Sequence, residues 1–124
     1  MSMSPDELFE ALEALDCEPR SAIGRMMDNE PFYLKYLIQM PDNENYIEYV
    51  KKLKEGDCKT AERAIHSLKG MALNLGLLPI SDHAVDIIND LRSGSIENAR
   101  VKTPSFEKVY FKICDVIKEY VKQN

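Results

Sequence analysis

Apolar residues recur along the chain at helical intervals, and Pro, Gly and Asn cut the pattern into pieces of helix length rather than strand length. No internal repeat or low-complexity tract interrupts it, so an all-α fold is expected. Ser4-Pro5-Asp6-Glu7 combines an N-cap serine, a proline at the first helical position and a glutamate placed to close a capping box. Leu8, Ala11, Leu12 and Leu15 follow at helical spacing. A second short piece from about Pro19 carries Ile23, Met26 and Met27 and ends near Asp28-Asn29. Asn29 and Pro31 begin a third, with Phe32, Tyr36 and Leu37 on its apolar side. Pro41 stops or kinks it near Met40, because proline lacks the N–H donor and clashes with the preceding turn.

Asp42 or Asn43 caps the next segment, which is predicted to bury Tyr46 or Ile47, Val50 and Leu53, with Gly56 ending it in a left-handed conformation. Asp57 caps a helix that runs to about Leu75, with Gly76 as its terminator. After a Leu77-Leu78-Pro79 turn, Ile80, Ala84, Ile87 and Leu91 repeat at helical intervals, and the short connection makes these two helices an antiparallel hairpin. Ser93 to Lys102, containing Gly94, reads as a loop. Thr103 with Pro104 then opens a last helix whose Phe106, Val109, Tyr110, Ile113, Ile117 and Tyr120 form a docking stripe. The expected architecture is an up-and-down antiparallel four-helix bundle with extra short N-terminal helices, residues 1–124 forming one domain.

Projecting Asp57 to Leu75 at about 100° per residue gathers Ala61, Ala64, Ile65, Leu68, Met71, Ala72 and Leu75 into one apolar arc. His66 lies roughly 160° to 200° from the middle of that arc, with Glu62, Arg63, Lys69, Gly70 and Leu73 within about 60° of it. It therefore points away from the core of its own helix. Lys69, one turn on, can hold an ammonium beside whatever His66 carries, and Gly70 at i+4 removes the side chain that would crowd the imidazole. Glycine inside a helix costs about 1 kcal/mol relative to alanine, and close approach by another macromolecule is a reason to keep one there.

Composition narrows the classes of function. With 21 acidic against 16 basic residues the formal charge is -5, and no segment clusters enough Lys or Arg for a nucleic-acid stripe. No apolar run approaches the roughly 20 residues a membrane span needs, and the acidic start does not read as a signal peptide. Cys17, Cys58 and Cys114 are widely spaced with no C-x-x-C pair, which suggests reduced thiols in a cytoplasm. Nothing resembles a Walker-type glycine loop, a kinase nucleotide motif or a carboxylate cluster for Mg²⁺, so neither a cofactor nor a resident metal is expected. Of the two histidines, His83 borders the Ile80, Ala84, Ile87, Leu91 stripe and reads as a boundary residue. A metal site joining both histidines to a cysteine would need a convergence that no local spacing predicts.

Ile65-His66-Ser67-Leu68-Lys69-Gly70-Met71-Ala72, followed by Asn74-Leu75-Gly76 and an apolar Ile80, resembles the H-x-L-K-G signature of histidine-containing phosphotransfer (HPt) domains. The helix layout from Leu8 to Val121 is also similar to that family's bundle. The resemblance implies that His66 accepts and donates a phosphoryl group, that Lys69 assists electrostatically and that Gly70 gives a partner access. It further implies that the partner is the aspartate-bearing receiver domain of a response regulator, with a hybrid sensor kinase upstream. Two departures stand out: Ile88 occupies a position often polar or acidic in the family, and Pro41 interrupts a helix that many relatives continue. Neither touches the face that bears His66.

Such chemistry suits the residues. Imidazole ionises near neutral pH, so a nucleophilic fraction is available without elaborate activation. Phosphoryl transfer passes through a loose transition state in which positioning and cations supply most of the catalysis, so the metal and activating carboxylate are expected on the partner. The docking surface is expected to be small and apolar near Gly70 and Leu73, rimmed by Lys59, Glu62, Arg63 and Lys69, on a monomeric protein. The hairpin is expected to bring residues around Asp90 opposite His66, from where Arg92 reaches the phosphate face; an ordinary solvated charge is the competing role for it. A rival of another class is a helical module that docks receivers as a decoy without exchanging phosphate, against which the intact His-Lys-Gly trio argues. A purely structural role, with the tyrosines packing or lining an oligomer interface, leaves the outward histidine unexplained.

Overall fold

The computed structural model describes residues 2–124, which form seven helices and no strand. They are α1 (Pro5–Glu13), α2 (Pro19–Arg25), α3 (Glu30–Leu37), α4 (Glu44–Glu55), α5 (Cys58–Asn74), α6 (Leu78–Arg92) and α7 (Ile96–Gln123). None is long and apolar enough to cross a membrane.

Local chemistry sets most of the helix ends. At α1 the Ser4 hydroxyl accepts from the Glu7 N–H at 3.1 Å and the Glu7 carboxylate accepts from the Ser4 N–H at 3.0 Å. This closed capping box satisfies two donors that the first turn leaves orphaned and holds the Glu7 carboxyl below its ordinary range. Asn29, Asn43 and Asp57 cap α3, α4 and α5 in the same sense, each side chain accepting from a first-turn N–H. Gly56 ends α4 at φ 80, a left-handed angle that a side chain would strain.

The four longer helices pack as sequence neighbours, α4 on α5, α5 on α6 and α6 on α7, and α7 returns against α4. Cross-links run antiparallel through the closing seam: Tyr46 donates to Glu107, the Tyr49 and Thr103 hydroxyls meet at 2.6 Å, and Arg100 donates to the Leu53 carbonyl at 2.9 Å. These pairings are consistent with the expected four-helix bundle. One connected core takes side chains from all seven helices, among them Phe9, Ile23, Tyr33, Tyr49, Ile65, Ile87 and Ile117.

Three expectations about the bundle are corrected. The loop expected over Ser93 to Lys102 is only the turn Ser93 to Ser95, with Gly94 at φ 78. Helix α7 starts at Ile96, so Pro104 lies inside it rather than at its first turn. Pro104 removes the N–H that would bond the Arg100 carbonyl, but it sits on the exposed side, where water can serve that carbonyl. Thr103 and Arg100 hold the turn from the buried side, Thr103 donating to the Ala99 carbonyl at 2.8 Å. On α4 the buried residues are Tyr49 and Leu53, whereas Ile47 and Val50 are exposed and Tyr46 is half-buried. On α3 the core takes Tyr33 and Leu37, leaving Phe32 and Tyr36 exposed.

The N-terminal layer α1–α3 is fastened where α5 turns into α6. Arg25 donates to the Leu73 carbonyl at 3.2 Å, the Tyr33 hydroxyl to the Leu75 carbonyl at 2.7 Å, and the Glu18 N–H to the Gly76 carbonyl at 2.8 Å. All three acceptors lie at or just past the end of α5, where carbonyls run short of i+4 helical donors. Gly76 is needed twice there: its φ is 72, and a Cβ would stand 2.3 Å from the Glu18 carbonyl oxygen.

Candidate functional site

Helix α5 presents the two faces that its periodicity predicts. Ala61, Ala64, Ile65, Leu68 and Ala72 are buried, with Met71 half-buried at the edge, while His66 is exposed. The core-facing arc fixes the helix in place, so the backbone under His66 is rigid although its ring is in solvent. Among the described residues His66 makes no hydrogen bond or ion pair within the chain, which leaves both ring nitrogens to solvent or a partner.

Its neighbours divide by what already occupies them. Gly70 is exposed, and a Cβ added there would meet nothing within 4 Å, so the space above it is open. Leu73, one further turn along, is 42% exposed. Lys59 and Arg63 are exposed and Lys69 half-exposed, and none of the three forms an ion pair among the described residues. Glu62 differs: its carboxylate accepts from Arg92 Nε at 2.9 Å and its side chain is only 17% exposed. The net effect on a chain of formal charge -5 is a patch of uncompensated cations around one imidazole.

Arg92 therefore does not point freely over the His66 face; it bridges α6 to α5 one turn below His66. Asp90 is not opposite His66 either, since its carboxylate pairs with Lys102 of α7 at 2.7 Å. Helix α6 begins at Leu78 rather than after the Leu77-Leu78-Pro79 turn, and the Glu62–Arg92 cross-link between antiparallel helices sets Ile88, not Asp90, about level with His66. Ile88 is buried, so it belongs to the core under the α5–α6 seam and adds nothing to the surface around His66.

His83 is exposed on α6, its Nδ1 donating to the Pro79 carbonyl at 2.9 Å. Among the described residues no three His, Cys, Asp or Glu side chains are grouped to hold a metal ion. All three cysteines are free, and burial pushes the Cys17 and Cys114 thiols up to about 12, which keeps them protonated.

A model of the Hpt domain family matches residues 39–118, about two thirds of the chain. The chain belongs to the Hpt domain family. Hpt domains serve histidine phosphotransfer in phosphorelays and are phosphocarriers that interact with response-regulator receivers and kinases. The match takes in the whole of α4, α5 and α6 and most of α7, whereas α1–α3 precede it. No curated protein and no solved structure gave a significant match.

Sequence reasoning placed His66, Gly70 and Leu73 on one face from helical angle alone. It missed the Glu62–Arg92 tie and the place of Ile88. Nothing local signals either one, because both depend on the register of α5 against α6.

Proposed function

We propose that His66 takes a phosphoryl group from the aspartyl phosphate of a receiver domain and returns it to the same class of partner. The observation that supports this best is an outward, unbonded imidazole in an Hpt-family chain, next to an unpaired ammonium and an open glycine. In the forward step a lone pair on one ring nitrogen forms an N–P bond as the P–O bond to the aspartyl oxygen breaks. The carboxylate leaves with the electron pair, and the other ring nitrogen keeps its proton; the reverse step restores the acyl phosphate.

Each residue has a part in this reading. Lys69 and Arg63, three positions either side of His66, offset charge on the equatorial oxygens of the loose transition state. Gly70 admits the partner's loops, and Leu73 contributes apolar contact. Lys59 is a rim charge that speeds encounter, as Coulomb attraction between complementary patches does. Arg92 acts through Glu62, masking a carboxylate that would otherwise repel the phosphoryl group. Metal and activating carboxylates are the partner's, and residues 1–124 act as one monomeric unit with α1–α3 as its N-terminal layer.

The test is incubation with a panel of phosphorylated receivers. Acid-labile, base-stable label on the wild-type chain, absent from His66→Gln, is the expected result. Binding without label points to the decoy, and label retained by His66→Gln overturns the site.

A further inference from the structure

Met71 is half-buried on α5 and stands between two open clefts. On one side it lines a groove with Arg25 of α2 and the aromatic rings of Phe32 and Tyr36 of α3. On the other it lines a polar cleft with Gln39, Asp42, Asn43 and Asn45, where the chain turns into α4. Two amides of that cleft are aimed at its sulfur: Asn43 Nδ2 donates to Met71 Sδ at 3.5 Å and Asn45 Nδ2 at 3.6 Å. Among the described residues no other methionine sulfur accepts a hydrogen bond. The first donor is fixed independently of the sulfur. Asn43 Nδ2 also donates to the Gln39 carbonyl at 3.1 Å, and Asn43 Oδ1 accepts from the Asn45 N–H at 2.9 Å. The Asn43 side chain, in a residue only 7% exposed, is thereby held with one N–H facing the sulfur. A thioether is a weak acceptor, so two amide donors converge on a poor partner.

We propose that Met71 is a modification site for peroxides: a hydroperoxide entering through the polar cleft converts it to the sulfoxide, which the Asn43 and Asn45 amides hold as a single epimer. A lone pair on Sδ attacks the terminal peroxide oxygen, and an S–O bond forms as the O–O bond breaks. The proton of the transferred oxygen passes to the departing oxygen, which leaves as water or an alcohol. Sulfur is oxidised by two electrons and the peroxide reduced by two. Oxidation of a methionine ordinarily puts a polar group into an apolar contact and disrupts it. Here the new oxygen, a far better acceptor than the thioether, lies where two donors already point. Oxygen added on one or the other lone pair gives opposite epimers. Only the epimer with its oxygen toward the cleft meets both amides, whereas the other turns it toward the aromatic wall of the groove. Met71 is five residues past His66, about 140° around α5, so the modified sulfur and the imidazole occupy different faces of the helix.

The experiment treats the full chain with hydrogen peroxide and then digests it. Mass spectrometry counts the sulfoxide at each methionine before and after exposure to each of the two methionine sulfoxide reductases, one specific for each epimer. Met71 is expected to oxidise along with Met27, which is 92% exposed, while the fully buried Met40 stays unmodified. At Met27 each reductase is expected to remove about half of the sulfoxide; at Met71 one removes at least about nine-tenths and the other about a tenth or less. Asn43→Asp/Asn45→Ala keeps the side-chain oxygen that caps α4 and the backbone N–H bonded to it, and is expected to bring Met71 to the even split of Met27. Asn45→Ala alone, which touches no cap, is expected to give an intermediate split. Met71 left unmodified while Met27 is converted overturns the proposal, as does an even split at Met71 in the wild type. A bias that survives in both variants overturns the role of the two amides.

Discussion

His66 and His83 sit on the two arms of one helical hairpin, and both are exposed. The ring alone does not separate them: the Nδ1–H of His83 is tied to the Pro79 carbonyl, which leaves its Nε2 lone pair outward and nucleophilic. Surroundings do. His83 has Asp82 beside it and Asp86 one turn on, both exposed, so a phosphoryl dianion there would face like charge. His66 has Arg63, Lys69 and the open position at Gly70. A phosphate carrier is thus specified less by its nucleophile than by what stands within a turn of it.

Five single variants and one double variant break or sharpen that contrast. His66→Gln is expected to abolish phosphohistidine label completely, read by acid-labile counts on the full chain. Lys69→Ala is expected to slow transfer about tenfold at unchanged melting temperature. One exposed ion pair at 4 Å is worth about 1 kcal/mol in water and about 4 kcal/mol at intermediate dielectric, and tenfold corresponds to about 1.4 kcal/mol. Gly70→Ala separates stability from access. Helix propensity predicts a gain of about 1 kcal/mol and a rise of about 3 °C in Tm, because the added methyl meets nothing in the free chain. Transfer is nevertheless expected to fall severalfold, since a seated partner meets that methyl.

Arg92→Ala comes next. Surface ion pairs contribute at most about 1 kcal/mol, so a loss of about twofold is expected from the unmasked Glu62 carboxylate. Glu62→Gln/Arg92→Ala is expected to restore the rate; a double variant no faster than Arg92→Ala shows instead that the guanidinium acts on the phosphate directly. His83→Gln is expected to change neither label nor rate, and a drop in label comparable to that of His66→Gln would erase the distinction between the two histidines.

What could be read from the residues follows the range of the interactions. The Ser4–Glu7 capping box, the left-handed Gly56 and the two faces of α5 depend on neighbours within a turn or two, and the structure has them as expected. The phase of α3 was legible only to within one residue, because eight residues make barely two turns and Phe32, Tyr33, Tyr36 and Leu37 are all apolar. Pro104 misled for a related reason: a proline at a helix start and one on the wet side of a helix interior have the same local sequence. Only the contacts of Thr103 and Arg100 with α4 tell them apart. At the site, His66, Gly70 and Leu73 follow from helical angle. The Glu62–Arg92 pair needed the hairpin register, and the groove needed three helices to converge.

The two-faced build of α5 has a consequence for how a signal would be stored. Its core side is packed and the exposed His66 ring bonds to nothing else among the described residues, so a phosphoryl group there adds a dianion without moving a buried atom. Loaded and empty forms would share one shape and differ only in the electric field outside it. A partner could then tell them apart by reading a potential, within about a Debye length of 8 Å at physiological salt, and not by sensing a rearrangement.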